Sequence, residues 1–128
     1  DHKRLADWAH AHNMKFIFHT DGNVRPMLDL YQEAGFDCLQ PLESKAGMDV
    51  RILCPERGDR MAFFGNIDVM TMGTNDRDAI DEEMRTKFAA GMAGKCYAYH
   101  SDHSVPPTVS FETYKWIVDR VNTYGNYT

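Results

Sequence analysis

Apolar positions along this chain alternate between two rhythms, short unbroken runs and stretches spaced three or four residues apart. Leu5, Trp8, Ala9 and His12 fall on one helical face, and Met14 to His19 then forms a short apolar run that reads as a strand. After a turn at Gly22-Asn23, Met27, Leu28, Tyr31 and Ala34 return to helical spacing. Asn23 suits the cap of that helix, Pro26 its first turn, and Gly35 the left-handed residue past its end. Phe36 to Gln40 predicts a second strand, and Met48 to about Glu56 a compact helix broken by Gly58 and Asp59. A third strand spans Met61 to Phe64. A long helix follows from about Asn75, with Ile80, Met84 and Phe88 on one face and Asp76 and Asp78 near its positive end. Lys95 to Tyr99 predicts a fourth strand. Beyond a loop from His100 to Val109, Ser110 caps a last helix whose predicted buried stripe is Phe111, Tyr114, Val118 and Val121.

Strands that alternate with helices imply an α/β fold with a parallel sheet and right-handed crossovers. Two architectures fit: a small doubly wound sandwich, or a (β/α)4 half of a TIM barrel, whose units take about 31 residues each. The 128 residues, 43% of them hydrophobic, suit one globular domain over 1–128. A formal charge of -5, with basic and acidic residues interspersed, gives no footprint for nucleic acid or for an anionic membrane surface. Neither a bilayer-spanning run nor a leader is visible, so the cytoplasm is the expected location. Cys38, Cys54 and Cys96 have unrelated spacings and are expected to stay reduced. The chain opens on Asp1 in an amphipathic pattern and reads as taken up part-way through its fold.

In parallel α/β folds the chemistry gathers at the carboxyl ends of the strands. Those ends are polar here: His19-Thr20-Asp21-Gly22, Gln40-Pro41-Leu42-Glu43, Asn66-Ile67-Asp68 and His100-Ser101-Asp102-His103. His19 and Asp21 are two apart, which aims both side chains to the same side. With His100 or His103 added, two imidazoles and one carboxylate make a donor set known for zinc and for non-haem iron. The same residues also fit a plainer role, with Asp21 stabilising a turn and the histidines hydrogen-bonded in a polar cleft. Glu43 and Asp68 read either as acid–base or substrate-positioning groups or as solvated and capping carboxylates, capping being favoured for Asp68. No GxGxxG, GxxxxGK[ST] or GxSxG is present, which removes the usual support for dinucleotide, P-loop and serine-hydrolase chemistry.

Five segments, taken in order, carry a resemblance: Phe18 to Asn23, Gly35-Phe36-Asp37 with Pro41-Leu42-Glu43, Gly47-Met48-Asp49, Phe64 to Asp68, and His103-Ser104-Val105-Pro106-Pro107. Together they resemble the C-terminal half of the uroporphyrinogen decarboxylase superfamily, which also holds corrinoid- and thiol-dependent methyltransferases. The resemblance implies a TIM barrel, and so favours the half-barrel over the sandwich. In the methyltransferase branch, the position of His19 resembles a zinc-binding histidine, and those of Asp21 and His103 resemble zinc-binding cysteines. This chain departs at the latter two, giving a His19, Asp21, His103 set with His100 in reserve. In the decarboxylase branch, His103 resembles the histidine of a Gly-His-Gly-Ile motif that holds the tetrapyrrole, and no metal or cofactor is used. That branch's arginine-rich loop and catalytic aspartate belong to the other half of its barrel.

The expectation is a metal-dependent, methyltransferase-like enzyme holding a divalent ion, zinc favoured over iron, with Glu43, Asp68 and His103 as catalytic groups. Its partners would be a small-molecule methyl donor with a thiol or corrinoid. The alternatives are decarboxylation of a tetrapyrrole, or a non-catalytic half-barrel acting as an assembly module. A half-barrel leaves edge strands and an apolar interior open, so a homo-oligomer is expected.

Overall fold

The computed structural model describes residues 1–127. A first helix, α1 (His2–Ala11), precedes four strands: β1 (Ile17–Thr20), β2 (Cys38–Pro41), β3 (Ala62–Ile67) and β4 (Tyr97–Ser101). A 3-10 turn at Arg25–Met27 and α2 (Leu28–Glu33) follow β1, and a turn at Ser44–Ala46 and α3 (Val50–Arg57) follow β2. After β3 come the short α4 (Val69–Gly73) and the long α5 (Arg77–Gly94), and after β4 comes α6 (Phe111–Tyr124).

All pairings are parallel and the order is β1-β2-β3-β4. This order decides the architecture. A doubly wound sheet reverses direction part-way, which sends helices to both faces. Here each right-handed crossover steps the same way, so the helices gather on one face, as in half of a TIM barrel. Along β3 the helix-facing Phe63, Gly65 and Ile67 are buried, while Phe64 on the other face is half-exposed. Ile17 and Ala98 are exposed on the uncovered side.

The core lies between sheet and helices, built from Leu28, Phe36, Leu39, Leu53, Phe63, Ile67, Ile80, Met84, Phe88 and Ile117 among others. The stripe Ile80, Met84 and Phe88 is buried as its spacing predicts. Asp76 caps α5 by accepting from the Asp78 and Ala79 N–H groups, and the Ser110 hydroxyl accepts from Thr113 N–H at the start of α6. Gly35 takes the expected left-handed conformation, φ 85°.

Two predicted stripes are corrected. In α1 the buried residues are Ala6 and Ala9, with Leu5 54% and Trp8 58% exposed. The small residues let this helix approach the end of α2, where a Cβ added at Gly35 would sit 3.7 Å from the Ala6 Cβ. In α6 the buried residues are Thr113 and Ile117, while Phe111 is 76% exposed and Tyr114 and Val118 are also exposed. Its rotation is fixed from both ends: Asn75 Oδ1 accepts from Ser110 N–H, and the Tyr124 hydroxyl donates to Asp81.

Candidate functional site

The carboxyl ends of the strands meet because the register aligns His19 with Gln40 and Asn66 with His100. Gly65 makes the close approach of β2 and β3 possible. It adopts φ 146°, and a Cβ there would lie 1.7 Å from the Pro41 carbonyl oxygen, so no other residue fits.

An open cleft of about 390 Å³ at these ends is lined by His19, Asp21, Gln40, Pro41, His100, Asp102, His103 and Ser104. His19 Nδ1 lies 2.5 Å from Gln40 Oε1, and its Nε2 is 3.8 Å from Asp21 Oδ2. The two-residue spacing thus does put His19 and Asp21 on one side. Asp21, Glu43 and His103 each offer a donor atom, and these atoms lie within 4.8 Å of one another. Glu43 is held by the Gly22 N–H, which donates to Oε2 at 2.7 Å. Of the His19, Asp21, His103 set read from the sequence, Asp21 and His103 come together, with Glu43 as the third donor; His19 lies beside Asp21 and outside that group.

His100 lines the same cleft, its Nδ1 against the Ser101 carbonyl and its ring edge-on to Phe64 at 5.1 Å. Asp68 stands apart from the cleft. Its carboxylate caps α4 by accepting from Met70 N–H at 2.8 Å, and it lines a second depression with Asp49, Arg51, Glu83 and Lys87.

Two further groups shape the site: Asn66, marked in the sequence as part of a polar strand end, and Lys87, which no pattern singles out. Asn66 is fully buried; its amide donates to the Leu42 and Met48 carbonyls and its Oδ1 accepts from Val50 N–H, so it shapes the loop that carries Glu43. Lys87 is 2% exposed and donates to Ser44 Oγ, the Asn66 carbonyl and Glu83 Oε1. That satisfies all three of its ammonium hydrogens. The cysteines are free and buried, and burial together with the Asp37 charge pushes the Cys38 thiol up to about 11, which makes it a poor nucleophile.

Residues 2–124 match the family model for uroporphyrinogen decarboxylase (URO-D). The chain belongs to the URO-D family. No curated protein matches it. URO-D is a TIM-barrel family, and the four parallel strands with their helices on one face form half of that barrel. The cleft at the strand ends lies where such barrels place their chemistry. No helix among the described residues is long and apolar enough to cross a membrane.

Two carboxylates and an imidazole are a donor set that could hold a divalent ion. Metal–ligand bonds of about 2.0–2.2 Å put neighbouring donors roughly 3–3.5 Å apart, so the spread of up to 4.8 Å would have to close by rotation of the exposed Asp21 and His103 side chains around the half-buried Glu43. Two carboxylates would also match the charge of a divalent ion.

Proposed function

We propose that the chain supplies the metal-binding strand ends of a methyltransferase-like URO-D family enzyme, with Asp21, Glu43 and His103 as ligands and His19 completing the set. The observation that supports this reading is the meeting of three donor side chains from three different strand ends within 4.8 Å. A bound divalent ion would supply Lewis acidity, lowering the pKa of a coordinated thiol or other methyl acceptor.

The chain's own residues do the rest. The hydrogen bond to Gly22 fixes one Glu43 oxygen and leaves the other free for the site. With Gln40 Oε1 accepting a hydrogen bond from Nδ1–H of His19, Nε2 presents its lone pair on the side of Asp21. His100 and Ser104 lie along the remaining cleft wall, where a substrate would be oriented.

The family's name raises tetrapyrrole decarboxylation as the second reading; on this half of the barrel the cleft presents His19, His100 and His103 together with Asp21 and Asp102.

Metal content of the purified chain, set against His103→Ala and Asp21→Asn, tests the proposal. The expected result is close to one equivalent of zinc or iron in wild type, falling at least tenfold in both variants while their circular dichroism is unchanged. A folded wild-type chain that takes up neither ion when it is added overturns it, and leaves the decarboxylase-like or non-catalytic readings.

A further inference from the structure

We propose that Asp102 is a positioning residue, whose buried carboxylate orients His103 and pins the Glu43 loop so that both face Asp21. The proposal rests on the reading of Asp21, Glu43 and His103 as a divalent-cation site, and it concerns a residue outside that set.

Asp102 directly follows β4 and is 1% exposed. Its N–H donates to the Ile67 carbonyl at 2.8 Å, continuing the contact of β3 with β4 by one residue. Its Oδ1 accepts from Val69 N–H at 2.9 Å and its Oδ2 from Ser44 N–H at 3.3 Å. One carboxylate therefore ties the loop after β4 to the loops after β2 and β3. Ser44 is the neighbour of Glu43, so this bond fixes the backbone from which Glu43 reaches the site.

The third contact is with His103, whose Nδ1 lies 3.5 Å from Asp102 Oδ1. That is an electrostatic contact, which a small ring rotation turns into a hydrogen bond. A buried carboxylate is costly unless paired. Among the described residues, His103 is the one side chain of cationic capacity recorded within 4.0 Å of this carboxylate. Both Asp102 oxygens already serve backbone donors, so the carboxylate acts through its neighbours and not as a ligand.

The chemical consequence concerns the tautomer of His103. A neutral imidazole with its proton on Nδ1, facing Asp102, has the Nε2 lone pair free for a cation. Carboxylate partners of this kind fix ring orientation and raise ligand basicity at metal-binding histidines.

Two measurements on the 128-residue chain test this. The first is the imidazole 15N–1H spectrum of the metal-free protein, with the His103 signals assigned by their loss in His103→Gln. Wild type is expected to hold the Nδ1–H form, and Asp102→Asn to shift the ring towards Nε2–H. The second is titration with Co(II), read by its visible absorption, where Asp102→Asn, still folded by circular dichroism though less stable to urea because one buried N–H loses its acceptor, is expected to bind about 10–100-fold more weakly.

A wild-type ring in the Nε2–H form overturns the proposal without any variant having to fold. So does a Co(II) affinity that Asp102→Asn changes by less than about twofold when wild type binds well. If wild type takes up no Co(II) while the tautomer shifts as expected, the cation reading fails and the orienting role of Asp102 stands.

Discussion

Asp37, at the amino-terminal end of β2, shows how much one carboxylate can organise. It accepts from the Phe16 N–H at 2.8 Å, pairs with Lys15 Nζ at 2.9 Å and meets His10 Nε2 at 2.6 Å, joining α1 to the entrances of β1 and β2. Burial works to raise its pKa, and the Phe16, Lys15 and His10 contacts outweigh that, leaving it at about 2 against an ordinary 3.8. Because the folded value is depressed, Asp37 stabilises the fold above the unfolded value of 3.8, and that contribution is lost as pH falls from there through about 2. Asp37→Asn is expected to cost about 1–2 kcal/mol at neutral pH and to flatten the acid limb of stability. Urea midpoints measured across that range check it; an acid limb as steep in the variant as in wild type would place the titrating groups elsewhere.

Between elements, the connection that matters most for the site runs from α5 through Lys87 to the loops after β2 and β3. Its ammonium lies against Ser44, Asn66 and Glu83, and the Glu83 carboxylate also accepts from Asp68 N–H at 2.9 Å. Removing one member of a buried pair leaves the other charge uncompensated, so Lys87→Met is expected to cost about 3–5 kcal/mol. The double variant Lys87→Met, Glu83→Leu should recover part of that loss; strictly additive losses in urea denaturation would show that the pair is not coupled. The Ser110 cap and the left-handed Gly35 were legible in the sequence because each is settled within a few residues. The period-2 placement of His19 and Asp21 was legible for the same reason. The rotations of α1 and α6 were not, since they depend on Gly35 and Asn75, contacts distant in sequence. Glu43 was legible as a strand-end carboxylate, but its meeting with Asp21 and His103 was not, since strand adjacency decides it, and Asp102 is a charged residue that composition alone places at the surface.

At the scale of the whole molecule, the sheet ends in two outer strands, β1 and β4, each with one unpaired edge. Among the exposed apolar residues, Leu5 and Trp8 are carried by the first helix, Ile17 by β1 itself, and Phe111, Tyr114 and Val118 by the last helix. Edge strands with open backbone groups and neighbouring apolar patches favour association. Four strands are half of what an eight-stranded barrel needs, and a twofold axis along the barrel keeps β4 of one copy parallel to β1 of the other. The same operation repeats the contact at the second edge and covers the face that exposes Ile17 and Ala98. The isolated chain is therefore expected to sediment at the mass of two copies, and Trp8→Glu with Val118→Glu to return it to one copy with circular dichroism retained. Both substitutions change residues already exposed, so a shift to monomer reports on the contact and not on the core. A wild-type chain that stays a single copy at high concentration, with unchanged near-ultraviolet circular dichroism, would show that the half-barrel tolerates its open edges and that Trp8 and Val118 serve some other surface.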